Sequence, residues 1–145
     1  MSETTAAPMP HSVGEIASYH AHIYYDVATT RDQAALLRRW IGERFRVRIG
    51  AWHDRPVGPH PQAMFQVAFE TGIFASLVPW LMLNRSTLTV LVHPNTDNAR
   101  DDHLIHALWL GEALPLDARN LPISASAVGE IEPPVIPNTS PHLLA

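Results

Sequence analysis

The sequence contains no cysteine and no lysine, and the first of these absences excludes several kinds of chemistry. A disulfide framework, a zinc–thiolate site and a thiol nucleophile all require cysteine, so none can form here. A cysteine-free chain also fits a reducing compartment. Every basic side chain other than histidine is arginine. The chain has 10 arginines and 14 acidic residues, which gives a net charge of −4. The arginines form no continuous basic stripe, so the sequence predicts no nucleic-acid partner.

Long apolar runs are absent as well. No run approaches the roughly 18 residues that a membrane span needs. The first residues, MSETTAAPMPHSVGE, lack the basic start and apolar core of a signal peptide. We therefore expect a cytoplasmic protein without a membrane partner.

Composition along the 145 residues predicts one domain with two extensions. Residues 1–16 are rich in Ser, Thr, Ala and Pro, and we interpret them as a flexible N-terminal segment. Residues 17–118 carry the periodic apolar patterns and form the predicted domain. Residues 119–145 contain five prolines and are expected to form an extended, Pro-rich C-terminal tail.

The domain alternates between strand-like and helix-like periods. Strands are predicted at 19–27, 46–52, 64–69 and 87–93, and helices at 30–45 and 73–84, with a short third helix at 100–110. The order βαββαβ predicts an α+β, ferredoxin-like split βαβ sandwich, followed by the C-terminal helix and the tail. In that fold both long helices cover one face of an antiparallel sheet, and the other face stays open.

Nine histidines are present, and the strand period places three of them together. Successive residues of a strand point to opposite faces of the sheet. His20 and His22 therefore point away from the helices and lie together on the open face. His93, at the end of the fourth strand, has the same orientation. Because the first and fourth strands are antiparallel neighbours in this fold, the three imidazoles are expected to meet. We predict that they bind a metal ion, against the alternative that each is a hydrogen-bonded structural residue.

Two further histidines are candidates for acid–base catalysis or for ligation. His60 lies between Pro59 and Pro61, which fix its backbone; an idle histidine in a rigid turn is the alternative. His103 follows two aspartates on the short third helix. These aspartates also suit the first turn of a helix, so they do not by themselves indicate a site.

Several segments resemble the fungal and bacterial DOPA 4,5-dioxygenase family. They are HAHIYYD (20–26), VGPHP (57–61), PWLMLNRSTLTVLVHPNTDN (79–98) and DDHLIHALWLGEALPLD (102–117). The resemblance covers about residues 18–118. It implies a ferredoxin-like domain, often homodimeric, that performs extradiol cleavage of a catechol such as L-DOPA with O₂. The product would be a muconate semialdehyde that cyclises spontaneously.

The family histidines match His20, His22, His60, His93 and His103 of this chain. The implied metal is Fe(II), with zinc as a possible substitute in a crystal. We assign the metal to His20, His22 and His93, since no carboxylate ligand is evident: Asp26 shares the open face, and Asp102 depends on how its helix docks. His60 or His103 would act as general base and later as general acid.

Two other functions are compatible with the residues. Three histidines with an open position would also suit a zinc enzyme such as a hydrolase. A ferredoxin-like dimer could instead bind a small aromatic molecule or a metal without catalysis, because this fold supports many functions. Oxygen consumption with a catechol distinguishes the dioxygenase from both.

Overall fold

The computed structural model describes residues 6–145, and its regular elements alternate along the chain as the sequence predicts. The strands are β1 (Ser18–Tyr25), β2 (Arg48–Ile49), β3 (Ala63–Phe69), β4 (Val90–Asn95) and β5 (Leu108–Leu110). The helices are α1 (Arg31–Arg44), α2 (Phe74–Asn84), α3 (Ala99–Leu104) and α4 (Ala125–Val128).

The five strands form one sheet in the order β2-β3-β1-β4-β5, and every neighbouring pair is antiparallel. Without β5 this is the strand order of the ferredoxin-like fold, so the predicted fold class is confirmed. β1 lies at the centre between β3 and β4. This placement brings side chains from three strands onto the middle of each sheet face.

The two faces of the sheet are packed differently. On one face, α1 contributes Ala34, Leu37 and Ile41, and α2 contributes Leu77 and Leu81, to the main hydrophobic core. Each such fully buried Leu or Ile contributes roughly 1.5–3 kcal/mol to folding by leaving water. The opposite face, which we call the open face because α1 and α2 do not cover it, was expected to stay exposed, but its smaller apolar cluster of Tyr24, Met64 and Leu91 is buried. The histidines of β1 and β4 lie on this open face.

The predicted third helix at 100–110 is wrong in its second half. α3 ends at Leu104, and Leu108–Leu110 pair with β4 as a fifth strand. Leu110 enters the main core whereas Trp109 packs against the open-face cluster, as strand alternation requires. The local pattern is compatible with either period, and pairing with β4 decides between them.

Two predicted strands differ in their bounds. Of the predicted strand 46–52, only Arg48–Ile49 form regular ladder pairs with β3, and side chains of the C-terminal tail bind the outward-facing amides of Val47 and Ile49. β4 runs from Val90 to Asn95 instead of 87–93, so it continues through Pro94. Pro94 is tolerated because β5 pairs with β4 only as far as Val92.

The terminal segments were predicted as extensions of the domain. Within the N-terminal segment 1–16, residues 1–5 lie outside the described residues, and Val13–Glu15 form a 3-10 turn with a capping box from Ser12. The tail, 119–145, returns to the sheet: the Asn138 amide donates to Val47 O at 3.0 Å. Within 6–145, no helix combines the length and apolarity needed to cross a bilayer.

Candidate metal centre

His20, His22 and His93 are positioned by the register between β1 and β4. His20 pairs directly with His93, and His22 lies two residues further along β1, opposite Leu91. All three imidazoles are buried, with 9% or less of each residue exposed. One potential ligand atom from each lies within 4.8 Å of the others. The structure therefore brings together the three residues that the sequence placed on one face.

His60 and His103 complete a cluster of five histidines. The His60 ring lies 4.1 Å from the His22 ring, and the His103 ring lies 3.9 Å from the His93 ring, between centroids. His22, His60 and His103 form a second group whose potential ligand atoms lie within 4.8 Å of one another. The two groups share His22. The long loop before β3 and the short helix α3 thus each deliver one imidazole to the open face.

Hydrogen bonds fix the tautomers of two of these rings. His93 donates from Nδ1 to Pro94 O at 2.9 Å, and His103 donates from Nδ1 to Ala99 O at 2.7 Å. A carbonyl oxygen can only accept, so both Nδ1 atoms carry the proton and both Nε2 atoms present a lone pair. Backbone carbonyls commonly orient metal-binding imidazoles in this way. The Nε2 atoms of His93 and His22 lie 3.0 Å apart.

Burial favours the uncharged form of four of these histidines, His22, His60, His93 and His103. Burial, followed by repulsion from His93 and the other imidazoles, holds the pKa of His22 well below its usual value. Burial, followed by repulsion from His103, does the same to the pKa of His93. The pKa of His60 falls to about 4, chiefly through burial, and burial also lowers the pKa of His103. Neutral imidazole is the form that binds metal ions.

The cluster fits a divalent metal better than it fits a structural role alone. Within the described part of the chain, His22 Nδ1 is buried and has no hydrogen-bond partner. Apolar side chains on this face would stabilise the fold more, because a buried polar atom without a hydrogen-bond partner costs about 1–3 kcal/mol of folding free energy. Convergent neutral imidazoles with fixed tautomers are a donor set suited to iron or zinc.

The two carboxylates considered as ligands face elsewhere. Asp26 accepts hydrogen bonds from the amides of Ala28 and Thr29 and is exposed at the end of β1. Asp102 is buried, but it accepts from both the amide and the hydroxyl of Thr96. Asp26 thus stabilises a turn, and both Asp102 oxygens accept hydrogen bonds from Thr96.

Glu132 is the residue that the sequence reasoning missed. Its Oε1 lies 3.0 Å from His20 Nε2, although the two residues are 112 positions apart in the chain. The hydrogen bond with His20 lowers the pKa of Glu132, so its carboxylate is ionised. Residues 130–134 (EIEPP) carry an acidic pair within the Pro-rich tail, which was the available signal, but nothing local indicates where this segment docks.

An aromatic wall borders the histidines on the open face. The Tyr24 hydroxyl lies 2.5 Å from His60 Nδ1, and the Tyr24 ring stacks on Trp109 with 6.0 Å between centroids. Leu91 and Met64 are buried beside them. Burial raises the pKa of Tyr24, so its phenol is protonated at neutral pH.

Other features lie outside the cluster. His11 contacts Glu15, His142 lies near Glu43, and His53 bridges to Met64, so these three histidines serve local contacts. A cavity of about 670 Å³ lies beyond the end of β4, between the N-terminal turn and α2, with Tyr19 and Phe74 in its lining. None of the five clustered histidines lines it.

Comparison with protein families finds one whose model matches most of this chain. The model described as the Dopa 4,5-dioxygenase family matches residues 19–120. This range contains the five clustered histidines and ends before Glu132.

Two curated relatives are similar. An uncharacterized 21.2 kDa protein of Botryotinia fuckeliana is 38% identical over 121 residues, and a DOPA 4,5-dioxygenase of Amanita muscaria is 32% identical over 122 residues. These alignments cover 74% and 79% of this chain but 65% and 54% of the relatives. The chain thus spans less than two thirds of the length of either curated relative.

A solved structure is also similar. The crystal structure of a candidate dioxygenase from Nostoc punctiforme has 52% sequence identity and a TM-score of 0.72. The structural alignment covers 74% of this chain and 92% of the Nostoc chain.

Proposed function

The chain belongs to the Dopa 4,5-dioxygenase family, and from this premise we propose that it is an extradiol dioxygenase acting on a catechol such as L-DOPA. The observation that carries the proposal is the cluster of five histidines on the open face, four of which are buried and one, His103, partly buried. Extradiol cleavage needs a metal with free positions for the substrate and O₂, and a neutral imidazole set meets that need. The relatives support a dioxygenase in general; the catechol and the bond cleaved are our proposal.

His20, His22 and His93 are the proposed metal ligands. They lie on the two central, directly paired strands, which makes their spacing the most rigid in the cluster. Fe(II) is the proposed metal, and zinc could occupy the same donors in a crystal. A bound Fe(II) ion would supply the electron transfer that lets O₂ react with the catechol ring.

His60 and His103 are the proposed proton carriers. The His103 Nδ1 proton is committed to Ala99 O, so Nε2 of His103 is free to accept a proton from a catechol hydroxyl. His60 can act in the same way in the tautomer in which Nδ1 donates to the Tyr24 hydroxyl oxygen and Nε2 carries the lone pair. With a pKa near 4, His60 is a neutral base at pH 7 and can later return the proton to the leaving oxygen.

The aromatic wall is the proposed contact for the substrate ring. Trp109 is partly exposed and packs on Tyr24 and Leu91, which are buried beside the histidines, so its indole is the apolar group available to a flat aromatic ring. Exclusion of water protects the reacting groups from side reactions.

Oxygen consumption tests this function directly. The metal-free protein is loaded anaerobically with Fe(II) and mixed with L-DOPA or catechol in an oxygen-electrode cell. We expect O₂ uptake together with a new yellow absorption from the cleaved product. His22→Ala should abolish both signals, because His22 is shared by both histidine groups.

The matched control is His106→Ala, which removes an exposed histidine three residues after His103. It should retain wild-type uptake. Bound metal without any uptake would exclude the dioxygenase. Such a result would favour a zinc enzyme if hydrolysis is found, or a non-catalytic aromatic or metal binder if it is not.

We also propose a cytoplasmic homodimer. Leu104, Ile105 and Leu108 are exposed near the outer strand β5, where a second copy would cover apolar surface. Sedimentation equilibrium distinguishes this dimer from the 16.1 kDa monomer.

A further inference from the structure

Glu132 reaches the histidine cluster on a segment that is held at both ends. Before it, the Ala125 amide donates to Asp97 O at 2.7 Å, and Ser124 and Ser126 bind the Asp97 carboxylate. After it, Asn138 makes side-chain hydrogen bonds with both the amide and the carbonyl of Ile49, each 2.8 Å long. The segment between these anchors crosses the open face at the level of His20.

The spacing of the donor atoms is that of neighbouring ligands around one ion. Two ligands at right angles, each about 2.1 Å from a metal, lie about 3.0 Å apart. Glu132 Oε1 and His20 Nε2 lie 3.0 Å apart, and so do His22 Nε2 and His93 Nε2. A hydrogen bond accounts for either distance equally well, so the spacing alone does not distinguish a metal site from hydrogen bonding.

The charge of the cluster provides an independent reason. Imidazole side chains offer no negative charge, and a buried divalent ion is costly unless anionic groups lie close by. Among residues 6–145, Glu132 is the one carboxylate in contact with a clustered histidine, since Asp26 and Asp102 are engaged elsewhere. Fe(II) oxygenases commonly combine histidines with one carboxylate.

We propose that Glu132 is the carboxylate ligand of the metal centre, supplied by the C-terminal segment from outside the range that matches the family. This inference depends on the metal centre proposed above. It adds an anionic ligand to His20, His22 and His93, and it makes the tail part of the site. The side chain is 38% exposed, so it can release and rebind without unfolding the domain.

Cobalt binding tests the proposal without relying on turnover. Co(II) reports its ligands through its visible absorption, and a competing chelator gives its dissociation constant. The metal-free wild type is titrated beside Glu132→Gln, Glu132→Asp and the control Glu130→Gln, which changes an acidic residue of the same segment. Urea unfolding of the metal-free proteins verifies that all four are equally folded.

For Glu132→Gln we expect affinity for Co(II) to fall about tenfold or more, with a changed visible spectrum. Glu132→Asp should recover part of the affinity, and Glu130→Gln should match the wild type. If Glu132→Gln binds like the wild type, Glu132 is not a ligand. Weaker binding with an unchanged spectrum would also overturn the proposal, because Glu132 would then only position His20.

The His22→Ala variant separates this proposal from the proposed function. Loss of binding in His22→Ala together with wild-type binding in Glu132→Gln removes Glu132 and leaves the histidine centre intact. A wild type that binds no Co(II) at all removes both.

Discussion

Tyr24 and Tyr25 are adjacent in β1, yet their hydroxyls serve opposite faces of the sheet. The Tyr24 hydroxyl meets His60 Nδ1 on the open face at 2.5 Å, whereas the Tyr25 hydroxyl donates to Asp54 at 2.6 Å on the helix side. The two hydrogen bonds are similar in length, but the first contacts a histidine of the cluster and the second contacts a loop aspartate. At the scale of single residues, this pair allows the proposed role of His60 to be tested separately from stability.

Tyr24→Phe should impair catalysis as well as stability. It leaves the buried Nδ1 of His60 without its phenol, which costs about 1–3 kcal/mol of unfolding free energy. His60 also loses the contact that orients it, so kcat should fall while KM changes less. Oxygen uptake against substrate concentration, together with urea unfolding, measures both effects.

The matched control is Tyr25→Phe, which removes a hydrogen bond that does not reach the histidines. It should lower the unfolding free energy by about 1 kcal/mol and leave kcat unchanged. Equal losses of kcat in the two variants would show that Tyr24 has no particular role in orienting His60.

At the scale of elements, the C-terminal segment completes the edge of the sheet beside β2. The Thr139 hydroxyl accepts from the Val47 amide at 3.0 Å and donates to Phe45 O at 2.6 Å. These contacts pair backbone groups at the outer edge of the sheet, which β2 forms. The same segment carries Glu132, so its anchoring bears on the proposed metal centre.

Thr139→Val should loosen the tail while preserving its shape. The hydroxyl is lost, which leaves the Val47 amide and the Phe45 carbonyl unpaired and costs about 1–3 kcal/mol. Hydrogen exchange of the Val47 amide should accelerate, and Co(II) affinity should weaken as Glu132 is held less firmly. Ser140→Ala, at the exposed neighbouring position, is the control and should change neither quantity. Unaltered exchange at Val47 in Thr139→Val would contradict the anchoring role.

At the scale of the whole molecule, the buried histidines make the fold sensitive to acid. The unfolded chain protonates its histidines near pH 6.5, whereas folded His60 does so near pH 4. The pKa values of His22, His93 and His103 are lowered in the same direction. Asp102, whose pKa burial raises, acts in the opposite direction but is one group against four.

The metal-free protein should therefore lose stability as the pH falls from about 6.5 towards 4. In this window the unfolded state binds more protons, and each extra proton contributes about 1.4 kcal/mol per pH unit. Urea unfolding at pH 7, 6 and 5 measures the slope, and His60→Gln should reduce it. A flat profile between pH 7 and 5 would contradict the neutral, buried state of these imidazoles.

The histidine triad could be predicted because its geometry depends on short-range rules. Strand alternation places His20 and His22 on one face, and the antiparallel neighbour brings His93 opposite His20. The approach of His60 and His103 was implied by family resemblance, since a loop with prolines and a six-residue helix have no period that fixes their direction.

The sequence by itself determined which residues alternate, and hence the ferredoxin-like sheet and the face that carries the first three histidines. Only the tertiary structure decided that Leu108–Leu110 form a strand and that the Pro-rich tail brings Glu132 to His20. The physical reason is the range of the interactions. Alternation is set between adjacent residues, whereas an edge strand and an extended tail take their places from hydrogen bonds with distant partners.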